Sequence, residues 1–278
     1  MTVPTWPARS VGDARLELGE CARWVPELGR VTWVDIESGT VFAASPDRLD
    51  DPAVLARADG SVGCALTRGD ELVLANENRV VRIRGEEERV SRALFPADGV
   101  RRFNDGCLDP SGRLIAGTLS RGVDSGTEQL LRIDGDGVEV LRSGVRLSNG
   151  VAFHPDGRLF HVDSFARTVS WCGDLDGERR WQTAFTVDDP SGGLPDGLHI
   201  DAGGALWLCV WGAGEVRRYS EHGVLLGRVV VPAPRVTSCA LIGTDADVLV
   251  ITTAREGMDD RALARSPGSG AMFVADVG

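Results

Sequence analysis

Lysine is absent. All 30 basic residues of the 278-residue chain are arginine, against 41 aspartates and glutamates, which gives a net charge of −11. We read the missing lysine as the codon habit of a GC-rich genome rather than as chemistry. The shortage of positive charge repels phosphate backbones and anionic lipid. Nucleic acid and membrane surfaces are therefore excluded as expected partners, and a small molecule or a metal cation remains. No apolar run reaches the length of a membrane span. No basic-then-apolar leader precedes the opening MTVPTWPARS, so a cytoplasmic protein is expected.

The six cysteines (21, 64, 107, 172, 209 and 239) form no CxxC pair and have no zinc-finger spacing. Buried free thiols in a reducing compartment are expected. Also missing are a GxSxG nucleophile elbow, a phosphate-binding GxxxxGK[ST] loop, GxGxxG and HExxH. Helical periodicity is lacking as well, apart from one short turn of helix at 259–265.

What is present is a repeated phrase, a Gly- or Asp-rich turn followed by an alternating apolar run. It occurs as GRVTWVD (29–35), GDELVLAN (69–76), GRLIAGT (112–118), GRLFHVD (157–163), GALWLCV (204–210) and DADVLVIT (245–252). The anchors Val31, Leu72, Leu114, Leu159, Leu206 and Leu249 recur every 41 to 47 residues. Within each unit, period-two strands are broken by Gly, Asp, Asn and Pro. Six such units predict an all-β fold: one six-bladed β-propeller domain over 1–278 with a central channel. A segment near Ala14–Leu18 is expected to close the ring against Ala271–Val277.

Counting back from the anchors, Asn104, Asn149 and Asp196 each lie ten residues upstream, with Asp105 beside Asn104, and Glu20 lies eleven upstream. The repeat therefore aims Glu20, Asn104, Asp105, Asn149 and Asp196 at one mouth of the channel. Clustered carboxylates held away from water repel one another unless a cation joins them. An all-oxygen set suits hard divalent ions: Ca²⁺ first, then Mg²⁺ or Mn²⁺, with Zn²⁺ tolerated. The plainer alternative is that Asn149-Gly150 and Asp196-Gly197 are turn dipeptides. IDGDG (133–137) imitates the start of an EF-hand loop, but the later ligands are missing and it reads as a hairpin turn. Of the four histidines, His199 is the one near enough to Asp196 to support it. The tryptophans read as blade packing, except Trp211 at a strand end.

Four stretches in order resemble the senescence-marker-protein/gluconolactonase (regucalcin-like) family. They are LGECARW (18–24) with TWVDIESGTVF (32–42), RRFNDGCLDPSGRLIAGT (101–118), RLSNGVAFHPDGRLFHVDS (146–164) and GLPDGLHIDAGGALWLCVW (193–211). The resemblance implies a sugar-lactone hydrolase with one divalent metal in the channel. It implies metal ligands Glu20, Asn149 and Asp196, substrate-side residues Arg102, Asn104 and Asp105, and Asp196 as general base. Two departures stand out. The family's Gly-Pro after the glutamate is here Cys21-Ala22, followed by Arg23. The acidic residue the family places after its Ala-Gly-Thr-Met stretch is not evident in AGTLSRGVDSG. These departures keep open a diverged metal-dependent isomerase or cyclase, and a non-catalytic Ca²⁺-binding propeller is the alternative from another class.

Overall fold

The computed structural model of the protein describes residues 3–243 and 245–278. Its strands form six sheets around a channel. Each sheet meanders outward from an innermost strand. The six innermost strands are Gly19–Val25, Val62–Arg68, Arg101–Leu108, Ser148–Phe153, Leu194–Ile200 and Val236–Ile242. We number the blades one to six in that order. Every repeat anchor falls in the second strand of its blade, for example Leu114 in Leu114–Ser120 and Leu206 in Leu206–Trp211.

Second strands are buried between neighbouring sheets, so their pattern is nearly continuous rather than alternating. Leu206–Val210 and Val31–Ile36 are buried throughout. IDGDG makes the expected hairpin, with Asp134 opposite Gly137. The short helix is Asp260–Arg265, and the Asp259 side chain caps it by accepting from the Ala262 N–H. All six cysteines are free, and five are buried. Among the described residues no helix is long and apolar enough to cross a membrane.

Ring closure differs from the expectation. Residues 14–18 form no strand. Leu18 makes only an isolated bridge to Ala254. The closing strand is Arg9–Val11, antiparallel to Met272–Asp276 in blade six. Upstream of it, Thr5–Pro7 adds to blade five as a fifth strand, parallel to Leu225–Val230. The physical reason lies in Trp6, which packs against Trp207 with ring centroids 5.9 Å apart, while Leu16 packs with Trp33 and Met272 and Leu18 lines the channel mouth.

Candidate active site

Each innermost strand breaks its pairing with the second strand at the same level. The breaks fall between Glu20 and Arg23, Val62 and Cys64, Phe103 and Gly106, Ser148 and Val151, Pro195 and Leu198, and Val236 and Ser238. Such bulges release residues from the ladder and re-aim their side chains. In blades three, four and five the released pairs are Asn104-Asp105, Asn149-Gly150 and Asp196-Gly197. Glu20 is the last paired residue before its break, one step earlier, which is the eleven-residue spacing seen in the sequence.

The turn-dipeptide alternative is overturned here. Gly150 and Gly197 lie inside strands and neither has positive φ. Their role is close approach between blades. A Cβ on Gly150 would lie 2.7 Å from the Asp196 carbonyl oxygen, and one on Gly197 would lie 2.9 Å from Ser238 Cα.

A cavity of about 380 Å³ opens at this mouth. Glu20, Arg102, Asn104, Asn149 and Asp196 form its polar floor. Asn104 is held by the Arg102 Nη1–H, which donates to Asn104 Oδ1 at 2.8 Å, and by its own Nδ2, which donates to the Ser148 carbonyl at 2.9 Å and Asn149 Oδ1 at 3.3 Å. Asn149 Nδ2 donates to Ser164 Oγ at 3.2 Å. The Ser148 hydroxyl meets His161 Nε2 at 2.7 Å, and Arg142 occupies the other ring nitrogen. An arginine only donates, so His161 Nδ1 accepts and Nε2 carries the hydrogen. Burial, then Arg142, holds His161 neutral.

Glu20 and Asp196 are both buried. Burial first, then the other's charge and that of Asp105, pushes the Glu20 carboxyl well above its ordinary range. Burial and Asp105 do the same to Asp196. Asp196 Oδ1 has no hydrogen-bond partner although it is fully enclosed. Two mutually repelling buried carboxylates, one with an orphaned oxygen, beside a carboxamide: this donor set fits a hard divalent cation.

Asp105 is not on the cavity wall. It occupies the bulge position that Gly150 and Gly197 fill in the next blades, so its side chain turns beneath the floor. There its Oδ1 accepts from Arg23 Nη2 and the Gly106 N–H, both at 2.8 Å. Arg23 thus crosses the channel from blade one to blade three. Cys21 adopts positive φ (52°), the conformation a glycine would take without cost, and its thiol turns toward the Ala65 carbonyl, away from the cavity. No hydrogen bond joins His199 to Asp196 among the described residues. Burial, then Arg23, lowers His199 to about 4.

The sequence reading missed Glu37, Arg121, Phe165 and Glu256, which line the mouth with Trp211. All lie at or just beyond the ends of second strands, five to seven residues after an anchor. Antiparallel neighbours bring those ends to the mouth where the innermost strands begin, so counting forward from the anchors would have found them. Trp211 carries the Arg235 guanidinium 5.1 Å from its ring.

A sequence profile of the SMP-30/Gluconolactonase/LRE-like region matches residues 18–255. Pentonolactonase XacC of Haloferax volcanii is 34% identical over 96% of this chain and 93% of its own length. A 6-deoxy-6-sulfogluconolactonase of Pseudomonas putida is 31% identical over 94% and 91%. Regucalcin of Danio rerio is 33% identical over 92% and 90%. Among solved structures, a calcium-binding regucalcin from Agrobacterium tumefaciens superposes with a TM-score of 0.87 over 100% of this chain and 97% of its own, at 24% identity, which speaks for the fold.

Proposed function

Since the chain belongs to the SMP-30/gluconolactonase/LRE-like family, we propose that it hydrolyses a sugar lactone with the help of one divalent cation held by Glu20, Asn149 and Asp196. The observation that carries this reading is the orphaned, buried Asp196 Oδ1 on the floor of an open cavity. A bound divalent ion would polarise the lactone carbonyl as a Lewis acid and offset the two carboxylates. Ca²⁺ leads the candidates because every donor is oxygen and a regucalcin shares the fold.

The protein's own residues do the rest. Asp196 accepts a proton from the attacking water as its oxygen bonds to the acyl carbon. The ring C–O bond then breaks, and Asp196 returns the proton to the departing alkoxide, leaving a hydroxy acid. Arg102, with an Nε–H lacking any acceptor among the described residues, offers a donor to a substrate oxygen. Asn104 spends both ends of its carboxamide on Arg102, Ser148 and Asn149, so it fixes the floor that orients the substrate. Trp211 and Phe165 supply apolar surface for a ring face and exclude water.

The departures at 21–23 do not favour the isomerase or cyclase reading. Cys21 points away from the cavity and Arg23 is committed to Asp105. A purely binding propeller has no need of a carboxylate pair buried at such cost.

The test is hydrolysis of a panel of aldonolactones and simple γ-lactones by metal-stripped protein, with Ca²⁺, Mg²⁺, Mn²⁺ and Zn²⁺ added back singly. Ring opening should return with at least one ion. Tight metal binding with no turnover on any lactone would overturn the lactonase reading.

A further inference from the structure

Blade four holds its share of the floor differently from its neighbours. In blades three to five, the residue just before each bulge is the last one paired with the second strand, and it steadies the released pair that follows. In blade three that residue is Phe103, whose ring packs edge-on against Phe95 with centroids 4.9 Å apart. In blade five it is Pro195, whose ring fixes its own backbone. In blade four it is Ser148, whose side chain is pressed against Gly117 of blade three. A serine has neither bulk nor ring to steady it. What tethers its side chain is the hydroxyl, which meets His161 Nε2 at 2.7 Å.

His161 is fully buried in the second strand of blade four, Leu159–Asp163, and the reaction outlined above makes no use of it. Its other ring nitrogen accepts from Arg142 Nη1 at 3.0 Å. Arg142 comes from the outermost strand of blade three, Gly137–Val145. Its further partners are the Ser170 hydroxyl at 3.4 Å and the Trp181 ring, 5.0 Å away. None of these carries a negative charge. A partly buried cation among neutral partners is a poor way to fill space, since an apolar side chain would pack there at lower cost. What the arginine supplies is a tautomer. Because it can only donate, it keeps the hydrogen on Nε2, aimed at Ser148. The line Arg142–His161–Ser148 thus runs from the outer edge of blade three to the floor of the cavity. Its last member accepts from Asn104 through its carbonyl at 2.9 Å and precedes Asn149 in the chain.

We propose that His161 is a positioning residue for the cation site: with its hydrogen kept on Nε2 by Arg142, it clamps Ser148, and through Ser148 it sets the carboxamides of Asn104 and Asn149 at the floor. This rests on the reading of the cavity as a metal-assisted lactonase site. Three substitutions at the one position separate the two ring nitrogens. In His161→Gln the amide nitrogen takes the place of Nε2 and keeps the donation to Ser148. In His161→Asn the shorter side chain puts an oxygen in the place of Nδ1, meets Arg142 and falls short of Ser148. His161→Phe makes neither contact.

The experiment titrates Ca²⁺ into each metal-stripped protein by calorimetry and measures kcat and KM on D-galactono-1,4-lactone. The glutamine variant should stay within about threefold of wild type, while the asparagine and phenylalanine variants lose about tenfold or more in Ca²⁺ affinity and kcat with KM little changed, the usual worth of a group that supports a metal ligand. Ser148→Ala should match His161→Phe, and combining the two should bring no further loss. Nitrogen NMR of ring-labelled histidine should find the His161 hydrogen on Nε2, and Arg142→Met should shift it toward Nδ1 and weaken Ca²⁺ binding. Equal losses in the glutamine, asparagine and phenylalanine variants, or variants that melt lower yet bind Ca²⁺ as the wild type does, reduce His161 to packing and overturn the proposal. If Ca²⁺ affinity follows the expected order but no lactone is opened, the positioning role stands and the lactonase reading falls. If lactones are opened and neither affinity nor kcat follows that order, the positioning role alone falls. A wild type that neither binds the ion nor opens a lactone removes both.

Discussion

In the proposed mechanism Asp196 does two things, hold a cation and move a proton, and its surroundings suit both. Its carboxylate is enclosed, repelled by Asp105 and lacking a partner at Oδ1. Asp196→Asn keeps the shape and removes the charge. We expect activity to fall by a factor of about 10² to 10⁴, the usual worth of a positioned base. The metal-free variant should melt higher than metal-free wild type, because a buried, repelled carboxylate has gone. Added metal should raise the melting temperature of the wild type but not of the variant. Differential scanning calorimetry with and without Ca²⁺ checks both. A variant that keeps wild-type turnover would remove Asp196 from the mechanism. The sequence exposed Asp196, Asn149 and Glu20 because the repeat register fixed their level. It did not expose the direction of Asp105, because direction depends on which residue of a two-residue bulge faces the channel, and the spacing of anchors is blind to that. Asn104 and Asp105 look equivalent on paper and part company in space.

At the level of strands, the small residues matter as much as the ligands. The Ala-Gly-Thr stretch in the second strand of blade three passes directly beside Ser148. A Cβ on Gly117 would lie 2.6 Å from Ser148 Cβ and collide outright with its hydroxyl. Ser148 is the residue that His161 anchors and whose carbonyl holds Asn104. Gly117→Ala should therefore cost about 1 to 3 kcal/mol, the range for overpacking a filled interior. It should also depress kcat by displacing Asn104 and Asn149. Chemical denaturation beside steady-state kinetics reads both. A variant with unchanged stability and kcat would show that the contact between blades three and four yields freely. The strands themselves were readable from their period, and the turns from Gly and Asp. The bulges were not. A bulge leaves no mark in the hydrophobic pattern, since it sits where the apolar run has not yet begun.

For the molecule as a whole, the decisive feature is how the ring closes. The N-terminal segment gives Arg9–Val11 to blade six and then enters blade one at Gly19, so it joins the last blade to the first where the chain would otherwise leave an open seam, and Thr5–Pro7 adds to blade five. Removing residues 1–11 deletes both strands and the Trp6–Trp207 contact. It also bares the Met272–Asp276 edge, an exposed template for unwanted pairing. We expect the truncated protein to melt about 10 °C lower, a change of several kcal/mol at this size. It should also form aggregates visible by light scattering. Melting within a degree or two of the intact chain would show that the seam carries little load. Closure was legible in the sequence only as a requirement. That a propeller must close follows from its geometry, but which N-terminal residues do it depends on a packing choice, Trp6 against blade five, that no periodicity announces.

The break in pairing at one level of all six blades has a consequence for descent. It makes a ring of six stations facing one point, each served by a backbone that already holds its shape. Blades one, three, four and five have Glu20, Asn104, Asn149 and Asp196 there, while blade two has Val62 and blade six Thr237. Beside Val62, Gly63 makes the same close approach between blades as Gly150 and Gly197, since a Cβ there would lie 2.5 Å from the Phe103 carbonyl oxygen. Blade six holds an oxygen at its station, the Thr237 hydroxyl, which donates to the Gly19 carbonyl. A lineage built on this ring can therefore exchange one ligand for another by single codon changes, with the architecture inherited intact. The proposed metal centre is the part such changes alter, and the wheel that carries it is the part they leave alone.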